Sequence, residues 1–322
     1  IDEKANGGKA FGVAGVRVSC NSFVRFAHAY TDRDGYYQMD KSFASDLRYR
    51  LIFKNELGFS IGFNMVLVPA SVSTLGKASP EGVDMTVTQE SDEKLFRRCV
   101  VNNTVYDYIS RCNADDLGIL PPPADLRLWI LNSMETGSAV MMHHGAVLQN
   151  DLMKSFLGNY ARILEYFLPD ITIGTKGQST YKEIYSATAH ELAHVSHFAQ
   201  VGTEYWDKYI RYVVESYVTN EGEFYGDGSA AGSGYCEVSE MWAYYLQSKL
   251  YKQRYGGTFP AVGTNWWFYP QIFRFMDERG LEQSDIFSVL TEDVDTRLAL
   301  KNALLLRFPG DREMIDQVFS RY

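Results

Sequence analysis

Residues 187–200 read Ala-Thr-Ala-His-Glu-Leu-Ala-His-Val-Ser-His-Phe-Ala-Gln, and they hold the spacing His190-Glu191-x-x-His194. On a helix, positions i and i+4 lie on one face, one turn apart. Two imidazoles at that spacing can reach one ion, and the glutamate between them can touch water held by the same ion. Zinc brings the pKa of such a water toward ~7, and a carboxylate beside it can take the proton as the water attacks a carbonyl. Ala187, Ala189, Leu192, Ala193, Val195, Phe198 and Ala199 surround the motif. They predict a buried helix rather than a solvated one. One Zn²⁺ per chain is expected, with His190 and His194 as ligands and Glu191 as the catalytic base.

The totals limit the other readings. The chain has 322 residues, a net charge of −9 and 46% hydrophobic residues. That length suggests about two domains, each able to bury a core. The acidic balance argues against a nucleic-acid partner or an anionic-membrane surface. No apolar run approaches the ~18 residues a membrane span needs. Cys20, Cys99, Cys112 and Cys236 form no C-x-x-C pair. Cys99 and Cys112 fall on one predicted helix, ~20 Å apart, too far for a disulfide. Four free, mostly buried thiols are expected. A chain numbered from Ile1 is expected to be a trimmed or mature form, which leaves room for a removed export signal.

Outward from the motif, residues 1–78 read as β. Val13–Ser19, Phe23–Tyr30, Gly35–Met39, Tyr49–Phe53 and Phe59–Val68 are short β-rich runs. Thr31-Asp32-Arg33-Asp34-Gly35 is a turn signal between two of them. Residues 71–91 have the composition of a linker. Helices are predicted over Asp92–Arg111 and Asp151–Leu168, strands over Leu126–Leu131 and Ile171–Gly174, and closing helices over Leu298–Leu306 and Met314–Phe319. The Ile171–Gly174 strand could hold an extended substrate by edge pairing. Gly226–Gly234 reads as a mobile connection or a lid. Trp266-Trp267-Phe268-Tyr269 reads chiefly as packing. His143 and His144, being adjacent, are not expected to bind one metal together.

Four glutamates compete as third ligand. His197 shares the helix face but lies ~10 Å from His190 along the axis, so it belongs near the site rather than on the ion. Glu204 opens the next helix and could be only a cap. Glu215 stands 21 positions after His194. Glu237 and Glu240 lie on one face of the apolar, aromatic helix around Gly234–Leu246, where two carboxylates need a reason. If it is not a ligand, Glu237 could orient a ligating histidine, and Tyr235 could serve an oxyanion.

Two resemblances sharpen this reading. Thr31-Asp32-x-x-Gly35-Tyr36-Tyr37 followed by Tyr49-Arg50-Leu51-Ile52-Phe53 resembles the carboxypeptidase-regulatory-like (transthyretin-like) β-sandwich modules. These often stand beside a catalytic domain in exported proteins. Glu240-Met241-Trp242-Ala243, set after the H-E-x-x-H helix, an intervening helix and a Gly-rich loop, resembles the ligand helix of lethal-factor-like gluzincins. Met241 departs from the aromatic usual there. The second resemblance spans about 170–255 and implies Glu240 as third ligand.

Together they imply a multidomain α and β protein. A β-sandwich over 1–78 precedes a mainly helical, zincin-like metallopeptidase domain with a short sheet over 79–322. The expected partner is a peptide or protein, and the expected location is outside the cytoplasm. A zinc-holding but inactive surface-binding protein is the alternative, and an intact Glu191 argues against it.

Overall fold

The computed structural model describes residues 1–2, 7–62, 70–147, 168–220, 223–258, 260 and 262–322. Among them the protein combines a mixed β-sheet with helices, the expected mixture of α and β. The strands are β1 (Val16–Asn21), β2 (Phe26–Tyr30), β3 (Leu47–Asn55), β4 (Ser60–Ile61), β5 (Val72–Ala78), β6 (Arg127–Leu131), β7 (Ser138–Ala139) and β8 (Ile171–Gly174). Their order is β2-β1-β3-β4-β6-β8-β7, with β5 also paired to β3. β1, β2, β3 and β5 pair antiparallel, whereas β6 runs parallel to both β4 and β8.

The helices are α1 (Glu93–Asn113), α2 (Tyr181–Thr219), α3 (Ser233–Tyr255), α4 (Gln271–Asp277), α5 (Gln283–Ser288), α6 (Arg297–Arg307) and α7 (Arg312–Phe319). None of the described helices is long and apolar enough to cross a membrane.

The chain divides into two compact units. The first comprises Ile1–Ile109, Ala124–Ser138 and Phe167–Thr188; the second comprises Ser110–Pro123, Ala139–Tyr166 and Ala189–Tyr322. In the first, strict alternation builds the core face of the sheet. Val16, Val18 and Cys20 of β1 and Leu47, Tyr49, Leu51 and Phe53 of β3 are buried, as a half-buried strand requires. A buried amide cluster ties α1 to these strands. Asn55 and Asn102 both donate to the Ala14 carbonyl, at 3.0 and 2.8 Å, and Asn55 also donates to Asn102 Oδ1 at 3.0 Å. Asp92 caps α1 by accepting from the Leu95 N–H at 2.9 Å.

Several expectations change here. Residues 71–91 are not simply a linker, because β5 lies within them and pairs with β3 through the backbone, a pairing that Ser- and Gly-rich composition hides. Gly35–Met39 is no strand. Asp32 Oδ1 accepts the N–H groups of Asp34 and Tyr36 at 2.9 Å each, and this local turn outcompetes extension. The run Phe59–Val68 keeps only Ser60–Ile61 as strand, and residues 63–69 lie outside the described residues. So does nearly all of the helix expected over Asp151–Leu168. β8 offers no open edge for a substrate, since it lies between β6 and β7. The four cysteines are free and buried, with Cys99 and Cys112 both on α1.

α2 starts at a capping box, with Glu183 Oε2 accepting the N–H groups of Ser179 and Thr180 at 2.9 Å each. It absorbs the two helices expected around residue 200 and breaks only at Gly202 (φ 76°, ψ −177°). That backbone region is open essentially to glycine alone. A side chain there would meet nothing within 4 Å, so backbone strain rather than crowding fixes the residue. Gly202→Ala is expected to cost about 1–3 kcal/mol in denaturant unfolding. A loss near zero would show that the bend does not need glycine.

Candidate metal centre

His190 and His194 lie in the part of α2 before the Gly202 bend, on a largely buried turn. They are 8% and 3% exposed, and Leu192, Ala193 and Val195 around them are fully buried. Glu240 comes from α3, entirely buried. The Trp242 indole N–H donates to the Ala193 carbonyl at 3.1 Å, and Ala193 and Ala243 are both without exposure.

The three side chains meet. His190 Nε2 and His194 Nε2 are 3.2 Å apart. Each is 3.5 Å from a Glu240 carboxylate oxygen, His190 from Oε2 and His194 from Oε1. One ligand atom from each residue lies within 4.8 Å of the other two. Ligands held ~2.0–2.1 Å from a tetrahedral ion stand roughly 3.3–3.5 Å from one another. The spacing therefore fits a small ion, and Glu240 Oε2 is buried without a hydrogen-bond donor. A buried carboxylate oxygen left bare is costly unless something else satisfies it. This group could bind a metal ion.

Neighbours hold the three in place. The Tyr209 hydroxyl donates to Glu240 Oε1 at 2.7 Å. His190 Nδ1 stands 3.2 Å from Gln247 Oε1. With Nδ1–H donating to that amide oxygen, the ring presents the Nε2 lone pair to the site. Tyr244 lies against the His190 ring, with centroids 4.4 Å apart, and Trp206 and Tyr209 wall His194 at 5.7 and 5.8 Å.

Burial disfavours charge on every one of these groups, and their mutual charges decide the outcome. Burial pushes the Glu191 carboxyl up to about 8, with Glu240 adding to the rise and His190 opposing it. Burial would also raise Glu240, but His194 and His190 outweigh it and hold the carboxyl far below its usual range. Burial opposes a proton on His190, yet Glu240 and Glu191 prevail and raise it. On His194 burial prevails and lowers it.

The other expected candidates stand elsewhere. Glu204 is exposed and pairs with Lys208 at 3.3 Å. Glu215 is exposed on the far part of α2. Glu237 bonds neither histidine: His190 Nδ1 faces Gln247, His194 Nδ1 has no hydrogen-bond partner among the described residues, and the Glu237 carboxylate lies 3.3 Å from Arg297 Nε. His197 is fully buried, with neither ring nitrogen hydrogen-bonded, between Tyr205 and Trp206. Burial there holds it neutral, with a pKa lowered to about 3. Tyr235 packs against Tyr205. His143 and His144 neighbour each other outside the group.

The loop before α3 is tethered, since the Tyr225 carbonyl accepts from Tyr212 at 2.7 Å and from Trp267 at 3.0 Å. Phe268 of the aromatic cluster is wholly buried and stacks on Tyr244. Gln247 and Tyr244 follow Glu240 by seven and four positions, one helix face, so their roles were open to pattern reading. Tyr209 depends on how α2 bends and carries no such signal.

Compared with known proteins, the chain matches no family model, no curated protein and no solved structure.

The titrations have a readable sign. Glu191 moves from 4.5 to about 8 on folding, so from pH 4.5 to 8 the folded state binds the extra proton and stability falls as pH rises. His190, raised above 6.5, adds to that fall on the alkaline side. His197 and His194, lowered, raise stability with pH up to about 6.5 and contribute nothing beyond. Chelator-treated protein should therefore lose melting temperature between pH 6.5 and 8, and Glu191→Gln should flatten that loss. An unchanged slope in the variant would place Glu191 outside this environment.

Proposed function

We propose that the chain is a zinc-dependent peptidase of gluzincin type, with His190, His194 and Glu240 as the metal ligands and Glu191 as general base. One observation carries the reading: two imidazoles from one helix turn and a buried carboxylate from a second helix stand at the spacing of a tetrahedral ion. Two nitrogens and one carboxylate oxygen are a donor set suited to zinc, and three protein ligands leave a position open. Zinc held there would polarise a carbonyl and acidify coordinated water.

The protein's own groups supply the rest. Glu191 sits between the ligands in sequence, where its carboxylate serves first as proton acceptor and then as proton donor. It takes a proton from the attacking water and delivers it to the departing amine, leaving an acid and an amine. Tyr209 and Gln247 keep Glu240 and His190 aimed inward. The order H-E-x-x-H, intervening helical segment, loop, glutamate helix supports the zincin-like layout, and the N-terminal strands are proposed as an accessory module.

Untagged protein is expected to purify with about one zinc per chain, measured by elemental analysis. Incubated with a denatured protein mixture, it should generate new peptide termini by mass spectrometry. Glu191→Gln should keep the zinc and lose about 10²–10⁴-fold in turnover. Glu240→Ala should lose the metal itself. A zinc-loaded chain that cleaves nothing, or a Glu191→Gln variant as active as the parent, would overturn the peptidase reading.

A further inference from the structure

The four antiparallel strands carry charge of one sign on their outward face. With Val16, Val18 and Cys20 inward, Arg17 points out, and with Leu47, Tyr49, Leu51 and Phe53 inward, so do Arg48, Arg50 and Lys54. Register places Lys77 of β5 opposite Arg48, on the same face. β1, β2, β3 and β5 contain no aspartate or glutamate at all, within a chain of net charge −9. None of the five cations pairs with a described carboxylate; Arg50 donates to Asn21 Oδ1 at 2.7 Å. Arg17 Nε is buried with no hydrogen-bond partner. A concavity of about 360 Å³ opens on this face between Arg17, Arg50, His28 and the β1–β2 turn.

That turn is apolar and bare. Phe23 is 100% exposed, Val24 78% and Phe26 70%. Basic side chains ring it: Arg25 lies over Phe43, and Lys41 lies over Phe26 and donates to its carbonyl at 3.2 Å. Exposed aromatic and aliphatic side chains in sequence, at a protruding tip beside cations, match a surface that is anionic outside and apolar within.

We propose that this face docks the protein on an anionic phospholipid surface. Phe23 and Val24 enter the boundary between headgroups and acyl chains, and Arg17, Arg48, Arg50 and Lys77 meet the headgroups. A single-stranded nucleic acid would use Phe26 and the cations but would leave the tip, and Val24 above all, without a role. The acidic balance that argued against an anionic surface for the whole chain is overridden locally, because charges beyond about one Debye length are screened and the charged residues of these strands are all basic. The inference stands apart from the metal site.

The test is co-sedimentation of the full 322-residue chain with vesicles of phosphatidylcholine alone or mixed with phosphatidylserine. Binding is expected only to the mixed vesicles and should weaken steeply with salt. Arg48→Gln with Arg50→Gln should weaken it about 25-fold, at about fivefold per cation. Phe23→Ser with Val24→Ser, both at largely solvated positions, should weaken it about tenfold or more with an unchanged melting temperature. Equal binding to both vesicle types, no binding at low salt, or full binding by the tip variant would overturn the proposal. So would capture of a single-stranded oligonucleotide by a chain that ignores the mixed vesicles.

Discussion

A carboxylate with no solvent contact must be neutralised or satisfied by what surrounds it, and Glu240 is satisfied on one side only. Tyr209 serves Oε1, and the imidazoles of His190 and His194 face the carboxylate 3.5 Å away. Burial of an ionised carboxylate without partners costs several kcal/mol. The two histidines, set one turn apart, are what make Glu240 tolerable in the interior of α3. A shared cation would complete the arrangement, and most of the local structure can be understood as keeping these three groups aimed at one point.

Several features serve that end. The Trp242 indole N–H bond to the Ala193 carbonyl ties α3 to α2 beside the three groups. Gly202 bends α2 just after the motif, so that Trp206 and Tyr209 fold back on His194 instead of continuing away from it. Gln247, two turns beyond Glu240, reaches His190 from behind. Glu191 is buried in the same environment, and that burial raises its proton affinity. His197, by contrast, is a packed neutral ring, as its distance along the helix implied.

The site was the most legible part of the chain because its residues obey helical spacing. His190 and His194 follow from i, i+4; the apolar helix around Gly234–Leu246 left Glu237 and Glu240 both open, and only the resemblance pointed to Glu240. α1, β1, β3, β6 and β8 were also readable, since each repeats apolar residues at its own period. β5 was not, because its partner β3, rather than its own Ser, Thr and Gly content, holds it in the sheet. Nor was the loss of a strand at Gly35–Met39, where one aspartate side chain redirects the backbone. The basic sheet face escaped a reading built on net charge, since strand alternation and register, not composition, bring Arg17, Arg48, Arg50, Lys54 and Lys77 together. Tyr209 belongs to the same class: its partner lies on a different helix, and only the bend at Gly202 brings it there.

The most direct test of the central claim is anomalous diffraction at the zinc absorption edge from crystals of untagged protein. The account predicts one strong peak per chain, bonded to His190 Nε2, His194 Nε2 and a Glu240 carboxylate oxygen. Crystals grown with zinc that show no peak there, or imidazoles turned into separate environments, would contradict it.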